Sequence, residues 1–253
     1  MLKQILADAE ARAETARSRA TEFRSEAASA PEARSFGDAV SGGKLIAEIK
    51  RRSPSRGVLA PGLDAAAQAK RYEAAGAAAV SVLTESAHFD GSLDDLMTVR
   101  SAIDLPVLRK DFLLDPAQIW ESRAAGADAV LLIVSILGEQ GLATMLPEAA
   151  AAGVDALVEV HDTTEAELAL GAGARIVGVN NRDLVSFTTD LAVAESVAPM
   201  IRRPGVVTVA ESGVSDPEGA ARMWAAGYDA ILVGEALVTA ADPEALLQTL
   251  VVS

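Results

Sequence analysis

A short phrase built from alanine and glycine occurs five times in this chain, and an apolar run follows it at once each time. The closing glycines, at positions 76, 126, 153, 173 and 227, are 50, 27, 20 and 54 residues apart. Each copy is typical of a helix that ends at a glycine and leads into a buried strand. Units of about 25 residues, roughly eight in number, predict an α/β fold, a single (β/α)8 TIM barrel.

The length and composition suit one such barrel. A (β/α)8 barrel takes about 250 residues, and a chain of 253 residues leaves no room for a second catalytic domain. Half of the residues are hydrophobic but only 4% are aromatic, so the core must be built from alanine, valine, leucine and isoleucine. That composition favours parallel strands buried on both faces. The chain has no cysteine, which excludes disulfides and thiol chemistry.

The charge pattern narrows the possible partners. The net charge is −14, and no basic patch of the kind that binds nucleic acid is present. No apolar run reaches the roughly 18 residues that a membrane span needs. In the first 26 residues, acidic residues are interleaved with the arginines, and this segment has no apolar core of the kind found in a signal peptide. We therefore expect a cytoplasmic monomer or weak homo-oligomer whose partner is a small molecule, which could be anionic if the site is locally positive.

The chain divides into two predicted parts. Residues 1–43 lie outside the repeat and are expected to form one or two helices that pack on the barrel, which spans residues 44–253. The predicted strands are 45–50, 79–83, 106–110, 129–134, 156–160, 175–179, 206–210 and 230–233. The predicted barrel helices are 64–75, 93–102, 116–125, 139–152, 164–170, 191–197, 216–226 and 243–250.

Polar side chains stand where five of these strands end. Side chains alternate between the two faces of a strand, so each of these residues shares a face with the residue two positions away and points into the barrel if that face does. Buried charges need opposite charges or a ligand beside them, and the carboxyl ends of barrel strands carry catalytic residues. Ion pairs without a catalytic role are the competing interpretation for any one of them. The set comprises Glu48, Lys50, Lys110, Glu159, Asn180 and Glu211.

Two further features predict an anion site. A basic loop that contains Ser53 follows the first strand, and it suits a carboxylate or a phosphate. Ser212-Gly213 follows the seventh strand and Gly234-Glu235 follows the eighth, where barrels often hold a phosphate on backbone N–H groups. The carboxylate of Glu235 would repel a phosphate, so this residue fits only if its amide faces the ligand and its side chain turns away.

Apolar residues are expected near the same mouth. Two phenylalanines just beyond the second and third strands could line a slot for a flat ring, and ordinary packing under loops is an equally good interpretation. Asp128 and Asp229, which open strands at the opposite end, are interpreted as turn residues. His161 has no spacing that suggests a metal site. The apolar set is Phe89, Phe112, Leu131, Leu132, Leu157 and Leu184.

Five motifs at strand ends, in order along the chain, resemble indole-3-glycerol-phosphate synthase. The similarity runs from about residue 44 to residue 250, and residues 1–43 look more loosely like the helical extension of that family. The motifs are IAEIKRRSPS at 46–55, VLRKDF at 107–112, LVEVH at 157–161, GVNNRDL at 178–184 and VAESG at 209–213.

The resemblance implies a carboxy-lyase of tryptophan biosynthesis that needs no cofactor and no metal. Such an enzyme converts 1-(2-carboxyphenylamino)-1-deoxyribulose 5-phosphate into indole-3-glycerol phosphate, CO2 and water. By the match, Lys110 is the general acid of ring closure, Glu159 is the acid/base of dehydration, and Lys50 holds the anthranilate carboxylate. Glu48 and Asn180 orient these groups, and Glu211 contacts the sugar hydroxyls.

The resemblance also implies how the rest of the substrate is held. Arg182 and residues of the last two strand ends bind the phosphate, while the apolar side faces the aromatic ring. The phosphate residues are Arg182, Ser212, Gly213, Gly234 and Glu235, of which the last three act mainly through backbone N–H groups. The residues that face the ring are Phe89, Phe112 and Leu131.

Three other interpretations compete with this one. Phosphoribosylanthranilate isomerase has a similar barrel fold, but enzymes of that family rely on a cysteine that this chain lacks. A non-catalytic barrel that binds a phosphorylated metabolite would have no need for Lys50, Lys110 and Glu159 around one carbon centre. Membership in a larger assembly of the tryptophan pathway would be compatible with enzyme activity, and the sequence does not decide it.

Overall fold

A computed structural model describes residues 2–184 and 186–251. Met1, Val185, Val252 and Ser253, which fall within the predicted extension and barrel, lie outside the described residues. Eight parallel strands close into a barrel in the order β1-β10-β9-β8-β7-β6-β5-β4. The strands are β1 (Lys44–Ile49), β2 (Arg52–Ser53), β3 (Gly57–Val58), β4 (Ala79–Leu83), β5 (Val107–Lys110), β6 (Ala129–Ile133), β7 (Asp155–Val160), β8 (Ile176–Asn180), β9 (Val207–Glu211) and β10 (Ala230–Val233).

Helices precede the barrel and alternate with its strands, so the predicted TIM barrel is confirmed. Each predicted barrel strand lies within one residue of its observed bounds. The helices are α1 (Leu2–Ser18), α2 (Ala20–Ser29), α3 (Phe36–Ala39), α4 (Ala65–Ala74), α5 (Ser86–Phe89), α6 (Leu93–Ala102), α7 (Pro116–Ala124), α8 (Val134–Ala152), α9 (Thr163–Gly171), α10 (Ala192–Ile201), α11 (Pro217–Ala226), α12 (Glu235–Thr239) and α13 (Pro243–Leu250).

The repeated alanine–glycine phrase has a backbone cause. All five of its closing glycines have a positive φ, from 71° at Gly153 to 97° at Gly76. That left-handed conformation ends a helix and is open to glycine at little cost. Local sequence also determines where six of the barrel helices begin, because the side chain of an aspartate or serine N-cap accepts a backbone N–H of the first turn. These N-caps are Asp64, Ser92, Asp115, Asp162, Asp216 and Asp242.

Side chains of the barrel strands form two apolar layers. Ile46, Leu108 and Leu157 pack with one another inside the barrel, and the intervening residues, such as Val80 and Val130, pack outward against the helices. This alternation follows from the two-residue period of a strand. Leu132 belongs to the outer layer and Leu157 is completely buried, so the prediction that these two leucines lie at the mouth is wrong.

Helix α3 and the loop before it contact the amino-terminal ends of the barrel strands. Phe36 and Val40 are fully buried and pack against the interior layer of the barrel. Asp128 is fully buried too, and its carboxylate accepts hydrogen bonds from the backbone N–H groups of Arg34 and Val107 at 2.8 Å. This carboxylate therefore joins the extension to β5, a larger role than that of the turn residue that the sequence predicts.

Short elements fill segments for which the sequence predicts no regular structure. The loop after β1 forms the β2–β3 hairpin, and helices α5 and α12 follow β4 and β10. Helix α8 starts five residues before the predicted helix because a first turn, residues 134–137, precedes Gly138, whose φ of 61° breaks the helix. Within the described ranges, no helix is long and apolar enough to cross a membrane.

Candidate active site

A cavity of about 670 Å³ opens at the carboxyl ends of the barrel strands. This is the end at which barrels of this kind carry their active sites. The residues that the sequence analysis proposes for catalysis and binding all line this cavity. They are Glu48, Lys50, Ser53, Phe89, Lys110, Phe112, Leu131, Glu159, Asn180, Arg182, Glu211, Ser212, Gly213, Gly234 and Glu235.

Lys110 lies between two carboxylates at the base of the cavity. Its Nζ is 3.0 Å from Oε2 of Glu159 and also donates a hydrogen bond to Oε2 of Glu211. Burial by itself would lower the pKa of Lys110, but the charges of Glu159, Glu211 and Glu48 raise it above the ordinary value. The ammonium group is therefore protonated at neutral pH and is equipped to act as an acid.

The two carboxylates beside Lys110 have different charge states. Burial and the neighbouring charge of Glu159 raise the pKa of Glu211 to about 7, against the opposing effect of Lys110. Burial also acts to raise the pKa of Glu159, but the charges of Lys110 and His161 hold it below the ordinary value. Glu159 is thus a carboxylate at neutral pH, whereas Glu211 titrates there.

Lys50 and Glu48 form a second pair at the end of the first strand. The Nζ of Lys50 is 2.5 Å from Oε1 of Glu48, and the Lys50 side chain is only 14% exposed. Gly234 makes room for this pair, because a Cβ at that position would lie 2.9 Å from Cδ of Glu48 and collide with its carboxylate. A glycine is required here by the close approach and not by its φ angle.

Asn180 and His161 complete the surroundings of Glu159. The side chain of Asn180 donates a hydrogen bond to Glu159, while its Oδ1 accepts the backbone N–H of Arg182 at 3.0 Å. Nε2 of His161 lies 3.5 Å from Oε1 of Glu159, and Nδ1 is 3.0 Å from Oε2 of Glu165. Burial acts to lower the pKa of His161, but the hydrogen bond to Glu165 and the charge of Glu159 raise it overall.

A polar wall with two arginines forms one side of the cavity. Nη1 of Arg182 donates to Oγ of Ser55 at 3.0 Å, and its Nη2 lies 3.4 Å from Oε2 of Glu235. The carboxylate of Glu235 also binds Arg56 at 3.0 Å. The Glu235 carboxylate thus pairs with both arginines of this wall, and an anion bound to Arg182 would compete with it. Oγ of Ser53 accepts the backbone N–H of Arg56 at 3.2 Å.

The opposite side of the cavity is apolar. The rings of Phe89 and Phe112 have centroids 6.2 Å apart and are tilted by 42°, a geometry that aromatic pairs favour. Leu131, in the middle of β6, belongs to the same apolar cluster as Phe112 and lines the cavity. Leu2 and Ile5, on the first helix of the chain, also line the cavity. Helical spacing in the sequence shows that these two residues share one face of a helix. It does not show what that face covers, so the sequence alone does not place them in the cavity.

The barrel and its cavity define a class of protein, namely an enzyme of the (β/α)8 type with charged side chains at the base of its cavity, between a polar wall that carries two arginines and an apolar wall. A family model described as indole-3-glycerol phosphate synthase matches residues 2–250. The chain therefore belongs to the indole-3-glycerol phosphate synthase family, whose members are carboxy-lyases of tryptophan biosynthesis.

Curated relatives carry that name at high identity. The chain is 55% identical to the indole-3-glycerol phosphate synthase of a Parafrankia species over 207 residues, which are 82% of this chain and 77% of the relative. It is 48% identical to that of Streptomyces griseus over 232 residues, which are 91% and 86% of the two chains. The enzyme of Carboxydothermus hydrogenoformans is 50% identical over 206 residues, 81% of this chain and 78% of the relative.

A more distant solved structure supports the fold alone. Thiamine phosphate pyrophosphorylase from Pyrococcus furiosus superimposes with a TM-score of 0.61 at 19% identity. The likeness covers 83% of this chain and 95% of the other. An identity this low extends to the barrel architecture and not to the chemistry of the site.

Proposed function

We propose that this chain converts 1-(2-carboxyphenylamino)-1-deoxyribulose 5-phosphate into indole-3-glycerol phosphate, CO2 and water, with the residues of the cavity in the roles given below. The observation that carries the proposal is the position of Lys110, whose side chain is only 13% exposed and whose ammonium group is held between Glu159 and Glu211. It lies between an anion-binding wall and an apolar wall, and the substrate has a phosphate at one end and a ring at the other.

The two walls orient the substrate. Arg182, with the backbone N–H groups at Ser212, Gly213, Gly234 and Glu235, would bind the phosphate. The other end of the molecule would lie with its ring against Phe89, Phe112 and Leu131 and its carboxylate on Lys50. Oε1 of Glu211 is buried and has no hydrogen-bond partner among the described residues. It is therefore free to accept a hydrogen bond from a sugar hydroxyl. Binding energy from the remote phosphate fixes the reacting carbons near each other.

Ring closure is the first chemical step. The ring carbon that bears the carboxylate attacks the ribulose carbonyl carbon, and Lys110 donates a proton to the carbonyl oxygen as the new carbon–carbon bond forms. The charges of Glu159 and Glu211 keep Lys110 protonated until that moment. The nitrogen becomes an iminium ion, and the former carbonyl oxygen becomes a hydroxyl group.

Decarboxylation and dehydration follow. The bond to the carboxylate breaks and its electrons neutralise the iminium ion, so this step needs no acid. Glu48 holds Lys50 against the carboxylate until it leaves. The hydroxyl group then departs as water, with Glu159 transferring the protons that this elimination requires. Asn180 keeps the Glu159 carboxylate in place through its hydrogen bond.

The wider organisation of the protein is part of the proposal. Residues 1–43 would act as a helical extension and residues 44–253 as the catalytic barrel, working in the cytoplasm as a monomer or weak homo-oligomer. The competing barrel that binds a phosphorylated metabolite without converting it is disfavoured by the two lysines, Lys50 and Lys110, which each contact a buried carboxylate in one cavity.

An assay with the purified protein tests this proposal. The protein is mixed with the substrate in the presence of a metal chelator, and indole absorbance and fluorescence are followed. We expect indole-3-glycerol phosphate to form at a rate proportional to enzyme concentration. Tight binding without product would establish the non-catalytic barrel instead, and the absence of both binding and turnover would reject the substrate.

A further inference from the structure

Arg12, in the middle of helix α1, contacts two buried carboxylates of the barrel. Its Nη1 is 3.3 Å from Oε1 of Glu85, and its Nη2 is 2.9 Å from Oδ1 of Asp111. Both acidic side chains are completely buried, whereas that of Arg12 is 28% exposed. Hydrogen bonds between ionised groups in such surroundings are the strong ones, and the planar guanidinium can bind both carboxylates at once.

Each of these carboxylates also holds the backbone of a phenylalanine. Oε2 of Glu85 accepts the N–H of Phe89 at 3.1 Å, and Oδ1 of Asp111 accepts the N–H of Phe112 at 2.8 Å. Phe89 and Phe112 are the tilted pair at the apolar wall of the cavity. One guanidinium group thus links the anchors of both rings, although the rings belong to different loops of the barrel.

A second contact fixes helix α1 against the same loop. Nε2 of His88 lies 2.9 Å from Oδ2 of Asp8, one turn before Arg12. The same helix places Leu2 and Ile5 in the cavity wall. Helix α1 is therefore tied to the segment that carries Phe89 at two points and contributes apolar surface to the side of the cavity where the rings lie.

We infer that Arg12 is a positioning residue that sets the spacing of Phe89 and Phe112 and thereby determines how tightly the site binds a flat benzoate ring. The inference rests on the proposed function, because it takes the apolar wall as the ring-binding side. The polar wall, which is proposed to bind the phosphate, is built from residues at the ends of β8, β9 and β10, and none of these residues contacts Arg12. Loss of Arg12 should therefore weaken ring binding and leave phosphate binding unchanged.

A purely structural role is the competing explanation, and the same helix supplies the control. Arg17 also joins α1 to the barrel, through Asp115 at 2.8 Å, but its side chain is 64% exposed. Asp115 caps helix α7 and holds neither phenylalanine. Arg17→Met thus loosens the docking of the extension without touching the anchors of the rings, whereas Arg12→Met removes the link between them.

The experiment uses two separate probes on the full-length protein. Calorimetric titration measures the affinity for 2-(methylamino)benzoate, which carries the ring and carboxylate, and for inorganic phosphate. For Arg12→Met we expect the dissociation constant of the benzoate to rise about tenfold, as the loss of a charge-assisted contact to a buried group predicts. The phosphate constant should stay within about twofold of wild type, which is less than 0.5 kcal/mol. Arg17→Met should change neither constant.

The outcomes separate the interpretations. Equal weakening of both probes, or no weakening of the benzoate, would overturn the positioning role. If Arg12→Met does not fold, Arg12→Lys carries the test, because it retains the charge without the planar fork and should show the same selective loss at smaller size. If the wild-type protein converts the substrate but does not bind the benzoate, the inference fails while the proposed reaction stands. If the wild-type protein binds the benzoate but produces no indole, the proposed reaction fails, and the comparison of Arg12→Met with wild type still tests the inference.

Discussion

The ammonium nitrogen of Lys110 lies 3.0 Å from a carboxylate oxygen of Glu159, a residue 49 positions further along the chain. Lys110 is the last residue of β5 and Glu159 the last but one of β7, and β6 separates these two strands in the barrel. Side chains at the ends of nearby barrel strands converge on one mouth, and this convergence creates the pair. The fold therefore places an ammonium group that stays protonated beside a carboxylate that stays ionised.

Replacement of Lys110 should abolish most of the activity. For Lys110→Met we expect turnover to fall by about 10²–10⁴, the range typical of a lost general acid. The phosphate and ring contacts remain, so substrate affinity should change far less. Steady-state kinetics and a binding titration measure the two effects, with Lys70→Met on the exposed face of α4 as the control. Undiminished turnover would remove Lys110 from the role of acid.

Replacement of Arg182 should act mainly on substrate binding. Arg182→Ala removes a cation from the proposed phosphate wall, and a contact that is equal in the ground state and the transition state changes KM and not kcat. We expect KM to rise more than kcat falls. Arg203→Ala, on an exposed loop, serves as the control. If kcat falls more than KM rises, Arg182 acts in the transition state instead.

Glu211 makes stability depend on pH in a defined direction. Its pKa is raised to about 7 in the folded protein, above the roughly 4.3 of an unperturbed glutamate. A carboxyl with a raised pKa favours the folded state fully below the unfolded value, and this contribution is lost as pH rises through 7. Glu211→Gln cannot lose a proton. The melting temperature of the variant relative to wild type should therefore be higher at pH 8 than at pH 5. A difference that is the same at both pH values would contradict the raised pKa.

Gly234 should be required for activity because of the space beside Glu48. In Gly234→Ala the added Cβ would collide with the Glu48 carboxylate and displace the partner of Lys50, so we expect kcat/KM to fall by at least about tenfold, or 1.4 kcal/mol. Gly171→Ala is the matched control, because nothing lies within 4 Å of a Cβ at the end of α9. Equal activity of both variants would show that Glu48 can move without consequence.

Much of this structure could be predicted from the sequence because local rules determine it. The alanine–glycine phrases mark helix ends through the left-handed backbone of residues such as Gly153 and Gly227. Alternation within a strand places Glu159 on the same face as Leu157, and closure of the barrel brings the strand ends together. Strand positions and the polar residues at the strand ends follow from these two rules, whereas Arg182 is predicted from the resemblance to a known family.

Features that depend on contacts between distant segments could not be predicted in this way. The orientation of Leu132 requires knowing which face of β6 turns inward, and an unbroken apolar run does not show this. Arg12 lies 99 residues from Asp111 in the chain, and nothing near Arg12 in the sequence indicates which barrel loops helix α1 covers. The contact of His161 with Glu159 follows from the backbone turn after β7, where alternation no longer applies.

The measurement that tests the account most directly is a single turnover of Glu159→Gln with substrate labelled in the carboxylate. Release of labelled CO2 and formation of the indole ring are followed on the same sample. If Lys110 drives ring closure and Glu159 acts only in the later loss of water, as proposed, CO2 should appear well before indole. Simultaneous loss of both signals in this variant would contradict the division of roles between Lys110 and Glu159.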